Sequence, residues 1–256
     1  MHELSNLSLW HATMTDDEWG PPRAALGGDV EADVAIVGAG YTGLWTAYYL
    51  LERDPALRVV VLDANVVGFG ASGRNGGWCS ALLPMSIDAV AAVSSREDAA
   101  RLQRAMHDTV DEVGRVTAAE GIDCHFAKGG FLSLARNPVH SERHRARIEN
   151  VRSYGFDDSD FRLLDATEAS EQCNATNVLG GLYTPHCAAI HPARLARGLA
   201  LVVEGRGATI YEHTPVVEIA PHEVRTSRAT VRARHIVRAT EAFTGSIRGE
   251  SGGGAA

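Results

Sequence analysis

The order of apolar and polar positions near the N-terminus predicts a buried strand, a helix and a second buried strand. VAIVGAG (34–40) is a short run rich in β-branched residues that ends in glycines, and RVVVLDA (58–64) is a second such run. Between them, TGLWTAYYLLER (42–53) has a helical composition and stops near Asp54-Pro55. This order predicts a βαβ unit and the beginning of a parallel sheet.

The middle of the chain, roughly residues 80–190, follows a different pattern. Apolar residues spaced three and four apart predict one amphipathic helix from about 91 to 119, marked by Leu102, Met106, Val110, Val113 and Val116. The other elements predicted here are a strand pair over Phe126–Leu134 bent at Gly129-Gly130, a charged helix over Arg143–Tyr154, and short strands at Phe161–Leu164 and Leu179–Tyr183.

The sheet pattern resumes near residue 191. A helix is predicted from His191-Pro192 to about Glu204, because proline suits the first turn of a helix. Segments of alternating apolar and polar residues follow: ATIYEH, PVVEI, EVRT, ATVRA and HIVRAT. We therefore predict a discontinuous α/β nucleotide-binding domain over 31–80 and 191–248, interrupted by part of a second domain over 81–190. Residues 1–30 are expected to form an irregular arm and residues 249–256 a low-complexity tail.

Composition excludes several classes of protein. The net charge is −8 and Lys128 is the only lysine, which argues against a general nucleic-acid binder. No apolar run approaches the length of a transmembrane helix, and no targeting segment is recognisable at the N-terminus, so we expect a soluble cytoplasmic protein. The four cysteines are far apart and no His/Cys cluster has ligand spacing, so no metal site is predicted.

The strongest chemical signal is a G-x-G-x-x-G fingerprint between the first strand and the first helix. It comprises Gly38, Ala39, Gly40, Tyr41, Thr42 and Gly43. Asp63 ends the second strand 20 residues beyond Gly43, where an acid can accept hydrogen bonds from ribose hydroxyls. The glycines allow a tight turn, close approach of a pyrophosphate and packing of the helix on the strand, while the helix N-terminus attracts phosphate. An adenine dinucleotide is therefore predicted.

A second glycine-rich stretch favours FAD over NAD. GFGASGRNGG (68–77) holds five glycines in ten residues and follows Asp63 directly, where a plain NAD dehydrogenase would continue to another crossover helix. Ser72 and Arg74 can reach phosphate or ribityl oxygens. Gly76 and Gly77 would let the backbone lie against a flavin ring. A flexible surface turn is the alternative interpretation of this loop.

With these motifs the chain resembles the FAD-dependent amine and amino-acid oxidoreductases of the D-amino-acid-oxidase type, in particular the γ-glutamylputrescine-oxidase-like branch. The resemblance rests on VAIVGAGYTGLWTAYYL, VVVLDA, GFGASGRNGGW, HPARLARGLA, TPVVEI and HIVRATEAFT, which occur in family order from about residue 8 to 245. It implies an α/β fold, with a Rossmann-like FAD-binding domain of the glutathione-reductase type and an inserted α+β substrate domain.

The resemblance also implies which residues contact FAD. Besides the fingerprint and Asp63, the positions it assigns to the cofactor are Ala64, Ser72, Gly73, Arg74, Asn75, Gly76, Gly77, Val216, Ala239 and Thr240. Val216 would contact the adenine through its backbone, and Asn75, Gly76 and Gly77 would lie near the isoalloxazine. Many flavoproteins place a glycine where this chain has Glu241.

The chemistry implied by the resemblance is oxidation of a C–N bond in a small amine or amino acid. A hydride passes from the carbon that bears the nitrogen to flavin N5, and the imine then hydrolyses. Two other functions remain open: an NAD-dependent dehydrogenase, and a non-catalytic flavin-binding module that acts with a partner chain. His186 and His191 are interpreted as packing or capping residues, since His191 directly precedes Pro192.

The chain departs from the family pattern in its length. Family members continue well past the position of Thr244, whereas this chain soon ends in SGGGAA. We therefore expect an N-terminal portion of such an enzyme, in which no residue can be named as catalytic. An incomplete substrate domain would expose a sheet edge, so association through that domain is also expected.

Overall fold

The computed structural model describes Leu4 and residues 6–248. The predicted tail, residues 249–256, lies outside the described residues. The chain divides into two compact units. The first unit falls in the ranges Met1–Gly76, Glu120–Cys124 and His191–Ala256, and the second comprises Gly77–Ala119 and His125–Ile190.

The first unit contains four helices and six strands among its described residues. The helices are α1 (Leu9–Ala12), α2 (Asp16–Trp19), α3 (Tyr41–Arg53) and α8 (Pro192–Gly205). The strands are β1 (Val30–Val37), β2 (Val59–Leu62), β8 (Thr209–Tyr211), β9 (Val216–Ala220), β10 (Glu223–Thr226) and β11 (Thr230–Arg238).

The second unit contains the remaining named elements. Its helices are α4 (Ile87–Val93), α5 (Arg96–Ala119), α6 (Pro138–Ser153) and α7 (Ala166–Gln172). Its strands are β3 (Trp78–Ser80), β4 (Phe131–Ala135), β5 (Arg162–Leu164), β6 (Gly180–Thr184) and β7 (Cys187–Ala189).

A six-stranded sheet organises the first unit, in the order β8-β2-β1-β11-β10-β9. Strands β8, β2, β1 and β11 are parallel, and β10 and β9 extend the sheet as antiparallel strands. The parallel pairing of β1 with β2, joined by α3, confirms the predicted βαβ unit. Strand β2 and the C-terminal half of β1, residues 34–37, are wholly apolar and buried, as expected of strands covered on both faces of a parallel sheet.

Apolar packing on the two faces of this sheet holds its strand ends in place. On one face Ala35, Val37, Val60, Leu62 and Val231 belong to a single buried cluster. Helix α3 packs against α8 and contacts β1 and β2. This packing fixes the C-terminal ends of β1 and β2 next to the start of α3.

The second unit is built on a three-stranded antiparallel sheet in the order β4-β6-β5 and a two-stranded sheet of β3 and β7. Its core joins α4, α5, α6 and the sheet through a cluster of buried residues, which includes Ile87, Ala99, Ile148, Phe156, Phe161 and Leu182. In the part of the chain that the structure describes, no helix is both long and apolar enough to cross a membrane.

Four local predictions were wrong. The strand pair expected over Phe126–Leu134 is a single strand, β4, preceded by an isolated bridge between Ala127 and Ala189. The helix expected over 91–119 is two helices, because Ser95 accepts the backbone N–H of Asp98 at 3.0 Å and starts α5 anew. The segments ATVRA and HIVRAT are one continuous strand, β11. The N-terminal arm is not wholly irregular, since Ser8 and Thr15 cap the short helices α1 and α2.

Candidate cofactor site

A cavity of about 240 Å³ lies in the first unit beside the C-terminal ends of β1 and β2. This is where open parallel sheets bind their ligands. Ten of the predicted cofactor residues line it: Gly38, Gly40, Tyr41, Thr42, Asp63, Ala64, Ser72, Val216, Ala239 and Thr240. Asn65, Phe69, Thr214, Pro215, Glu241, Phe243 and Ile247 also line it, and the sequence did not single them out as contacts.

The turn between β1 and α3 and the packing of α3 behind it have no room for a side chain at Gly38 or Gly43. Gly38 has a φ of +109°, and a Cβ atom there would lie 2.4 Å from the carbonyl oxygen of Ala239. A Cβ atom on Gly43 would lie 2.0 Å from the carbonyl oxygen of Gly38. Gly43 and Ala39 are buried and do not line the cavity, so their role is to shape the turn.

The N-terminus of α3 opens on this cavity, since Gly40, Tyr41 and Thr42 all contribute to its wall. Gly40 occupies the N-cap position and offers no side-chain acceptor to the first turn. The backbone N–H of Tyr41 donates to the Ser72 hydroxyl at 2.9 Å, and a Cβ atom on Gly40 would lie 2.9 Å from that hydroxyl oxygen. The first turn of α3 is thus arranged to receive oxygen acceptors, as a phosphate would supply.

Asp63 connects the end of β2 to the glycine turn. Its carboxylate accepts the backbone N–H of Ala39 and that of Asn65, each at 2.8 Å. Burial raises the pKa of Asp63, the two backbone hydrogen bonds oppose that rise, and the charge of Glu212 adds to it. The two N–H bonds fix the orientation of a carboxylate that faces the cavity.

The glycine-rich loop folds back on itself beside α3. Residues Ala71–Gly73 form a single 3-10 turn, and a Cβ atom on Gly73 would lie 2.1 Å from the carbonyl oxygen of Gly68. The Asn75 amide donates to the carbonyl oxygens of Ala71 and Ser72, at 3.3 and 3.1 Å. Asn75 therefore braces the turn that presents the Ser72 hydroxyl to α3.

Several predicted contacts of the loop lie outside the cavity wall. Gly73, Arg74, Asn75 and Gly76 do not line it, and Gly77 belongs to the second unit. The Arg74 guanidinium instead lies over the Phe69 ring, 4.8 Å from its centroid, and its Nε donates to the carbonyl of Gly70 at 3.4 Å. In this structure Arg74 therefore supports the loop rather than the cavity.

Glu241 lies in the cavity wall at a position where the sequence pattern favours glycine. It lines the cavity with a φ of 45°, in the left-handed region where glycine is favoured. A glutamate thus adopts here a backbone conformation that favours glycine.

A separate cluster of ionisable residues lies in the second unit. Asp160 Oδ1 is 3.1 Å from His186 Nε2 and 3.3 Å from His107 Nδ1. The two imidazoles are stacked, with centroids 3.6 Å apart and planes 5° from parallel. Because nitrogen lone pairs lie in the ring planes, those of stacked rings run parallel and do not converge on one metal ion.

The prediction that His191 caps a helix is confirmed, since its ring accepts the N–H of Arg194 at the start of α8.

The residues around the cavity fit the adenosine diphosphate part of FAD. The Gly38 turn is closed to any side chain, the first turn of α3 faces the cavity, and a fixed carboxylate stands at the end of the neighbouring strand. These are the three elements that bind an adenine dinucleotide at the first βα turn.

Comparison with known proteins finds several oxidoreductases that match most of this chain. The chain is 32% identical to gamma-glutamylputrescine oxidoreductase of Escherichia coli over 227 residues, which is 88% of this chain and 52% of that protein. It matches the crystal structure of glycine oxidase from Geobacillus kaustophilus with a TM-score of 0.63 and 26% identity, over 82% of this chain and 55% of that one. L-proline dehydrogenase from P. horikoshii has the same fold, with a TM-score of 0.69 and 19% identity, over 86% of this chain and 55% of that one.

The chain spans about half the length of the curated relatives it matches. Most of this chain, in contrast, is covered by the matches. The family model described as "FAD dependent oxidoreductase" (DAO) matches residues 33–255. With the glycine turn, the fixed acid and the parallel sheet in place, the chain belongs to the DAO family of FAD-dependent oxidoreductases.

Proposed function

We propose that this chain is the FAD-binding portion of an oxidoreductase that acts on the C–N bond of a small amine or amino acid. One observation carries the proposal: the tight turn at Gly38, the first turn of α3 and the carboxylate of Asp63 all border one cavity. The printed names of the relatives, gamma-glutamylputrescine oxidoreductase and glycine oxidase, support an amine or amino acid as the class of substrate.

The residues of this chain would hold the cofactor, and FAD would accept a hydride from the carbon that bears the nitrogen. The first-turn N–H groups of α3 would bind the pyrophosphate, beside the Ser72 hydroxyl that accepts the N–H of Tyr41. Asp63 accepts hydrogen bonds from the adenosine ribose, and its charge disfavours a phosphate on that sugar. Val216, which lines the cavity, would contact the adenine through its backbone, and Ala239 and Thr240 would pass close to the phosphates.

Asp63 is suited to this role because its two backbone hydrogen bonds leave further lone pairs on the same oxygens. A carboxylate has about four acceptor sites, of which Ala39 and Asn65 use two. The acid can therefore stay fixed by the protein while it accepts from ribose hydroxyls.

The test is the visible absorption spectrum of the purified chain before and after incubation with FAD, with NAD titrated in parallel. We expect bound flavin, and bleaching of its bands when a reactive amine is added without oxygen. Flavin that binds but is reduced by none of a panel of amines would fit a half-enzyme that lacks its substrate-binding groups. Uptake of NAD without uptake of FAD would contradict the proposal.

A further inference from the structure

Residues 8–23 of the N-terminal arm contact one end of the glycine-rich loop directly. The indole Nε1–H of Trp10 donates to the carbonyl oxygen of Asn75 at 2.6 Å. The buried ring of His11 lies against Gly73, where an added Cβ atom would be 3.2 Å from His11 Cε1. Both contacts fall on the segment that presents Ser72 to α3.

The same arm reaches the start of the loop through a buried ion cluster. Glu212 accepts the backbone N–H of Val67 at 2.9 Å, and the Arg23 guanidinium donates to the same carboxylate oxygen at 3.2 Å. Arg23 also makes two hydrogen bonds of 2.7 Å to Glu204 on α8. The Arg23 and Glu212 side chains are only 5% and 4% exposed, so each depends on the other for compensation of its charge.

The arm is itself fixed to α8, which gives the contacts a rigid support. The Thr13 hydroxyl is hydrogen-bonded to His191 Nε2 at 3.1 Å, and the Trp10 ring meets the His191 ring edge-on, 5.1 Å between centroids. Arg197 on α8 donates to the carbonyl oxygen of Trp19. Trp10 and Arg23 therefore join the loop to a helix of the core.

A loop with five glycines in ten residues loses much conformational entropy when it is ordered. We propose that the N-terminal arm is a clamp that holds both ends of the glycine-rich loop in its FAD-binding conformation, with Trp10 and Arg23 as positioning residues. This inference rests on the proposed function. The clamp lowers the entropy lost on binding and slows release of the cofactor, although Trp10 itself does not line the cavity.

The test replaces Trp10→Phe, which removes the N–H donor and keeps an aromatic ring. The matched control is Trp45→Phe on α3, where Trp45 packs on Tyr48 and Tyr49 and does not line the cavity. Loss of one hydrogen bond predicts that Trp10→Phe raises the Kd for FAD about 5-fold, mainly through faster dissociation. The Tm of the FAD-free chain should fall no further than that of Trp45→Phe.

Three results would overturn the clamp. If wild type and Trp10→Phe bind FAD equally well, the clamp is refuted while the proposed function stands. If Trp45→Phe weakens binding as much as Trp10→Phe, the effect is one of general stability. If the wild type binds no FAD, both the clamp and the proposed function fall.

A second measurement needs no variant. Amide hydrogen exchange of the wild-type chain, with and without FAD, reports the arm and the loop separately. We expect FAD to slow exchange in residues 8–14 as well as in residues 68–76. Protection of the loop without protection of the arm would refute the clamp.

Discussion

The carboxylate of Asp63 accepts the backbone N–H of Ala39 at 2.8 Å, which ties the end of β2 to the middle of the glycine turn. The acid and the turn therefore hold a fixed distance from each other before any ligand arrives. A site that binds ribose with one element and pyrophosphate with the other needs this fixed distance. The hydrogen bond thus makes the two halves of the fingerprint one binding site.

Replacing Asp63→Asn should weaken FAD binding. The amide group cannot accept hydrogen bonds at both of its polar atoms, so one of the N–H donors of Ala39 and Asn65 loses its partner and the ribose loses a charged acceptor. A charged hydrogen bond is worth about 1.5–3 kcal/mol, so Kd should rise about 10-fold to 100-fold in a flavin fluorescence titration. Asp108→Asn, at an exposed carboxylate of α5, is the control and should leave Kd unchanged. Equal Kd values for the two variants would refute the role of Asp63.

Replacing Gly43→Ala should destabilise the first unit. The new methyl group would lie 2.0 Å from the carbonyl oxygen of Gly38, so α3 or the turn must move. Overpacking of this kind costs about 1–3 kcal/mol, which thermal unfolding would report as a lower Tm. At Gly28 an added Cβ atom meets nothing within 4 Å, so Gly28→Ala should leave the Tm nearly unchanged. If Gly43→Ala keeps the wild-type Tm, the turn is not closed to side chains.

The cluster in the second unit predicts loss of stability in mild acid. Burial, helped by the charge of His186, lowers the pKa of His107 to about 4, although Asp160 and Asp108 oppose the shift. The unfolded chain, with a pKa near 6.5, therefore binds more protons between these values, and stability falls as pH drops from 6.5 towards 4.

His107→Phe checks this prediction, because a phenyl ring fits beside Phe156 and Phe161 and carries no proton. The drop in Tm between pH 7 and pH 4.5 should be smaller in this variant than in the wild type. His235→Phe, at an exposed histidine of β11, should retain the full drop. The same drop in all three proteins would show that His107 does not cause it.

Removal of the Glu212 carboxylate should lower the free energy of unfolding far more than removal of an exposed carboxylate. Glu212→Ala leaves the buried guanidiniums of Arg23 and Arg197 with less compensation and the N–H of Val67 without its acceptor, a loss of about 3–5 kcal/mol in the free energy of unfolding. Glu218→Ala breaks a partly exposed pair with Arg225, which is worth about 0–1 kcal/mol. Urea unfolding would separate the two variants, and similar losses would contradict the buried cluster.

The features predicted correctly are those with short sequence separation. The strand, turn, helix and strand around Gly38 lie within about 30 residues, and the required spacing of glycines and acid is local. The break before α5 was missed although it has a local signal: Ser95 stands three residues before Asp98, a spacing typical of a helix start.

Local patterns could not predict contacts between distant residues; Val216, Ala239 and Thr240, which do line the cavity, were assigned only through the family resemblance. His107, Asp160 and His186 come together only because α5 and the neighbouring segments share one core. Trp10 meets Asn75 across 65 residues, and Arg23 meets Glu212 across 189, with no periodicity that marks either pair. Such pairs depend on the packing of whole elements, which a single sequence does not reveal.

The central claim is that the cavity beside Gly38 and Asp63 binds the adenosine diphosphate part of FAD. The most direct test is a fluorescence titration of the purified chain with FAD and, side by side, with FMN, which has the same flavin ring but no adenosine. The account predicts saturable binding of one FAD per chain and much weaker binding of FMN. Equal affinity for the two flavins, or no binding of FAD, would contradict it.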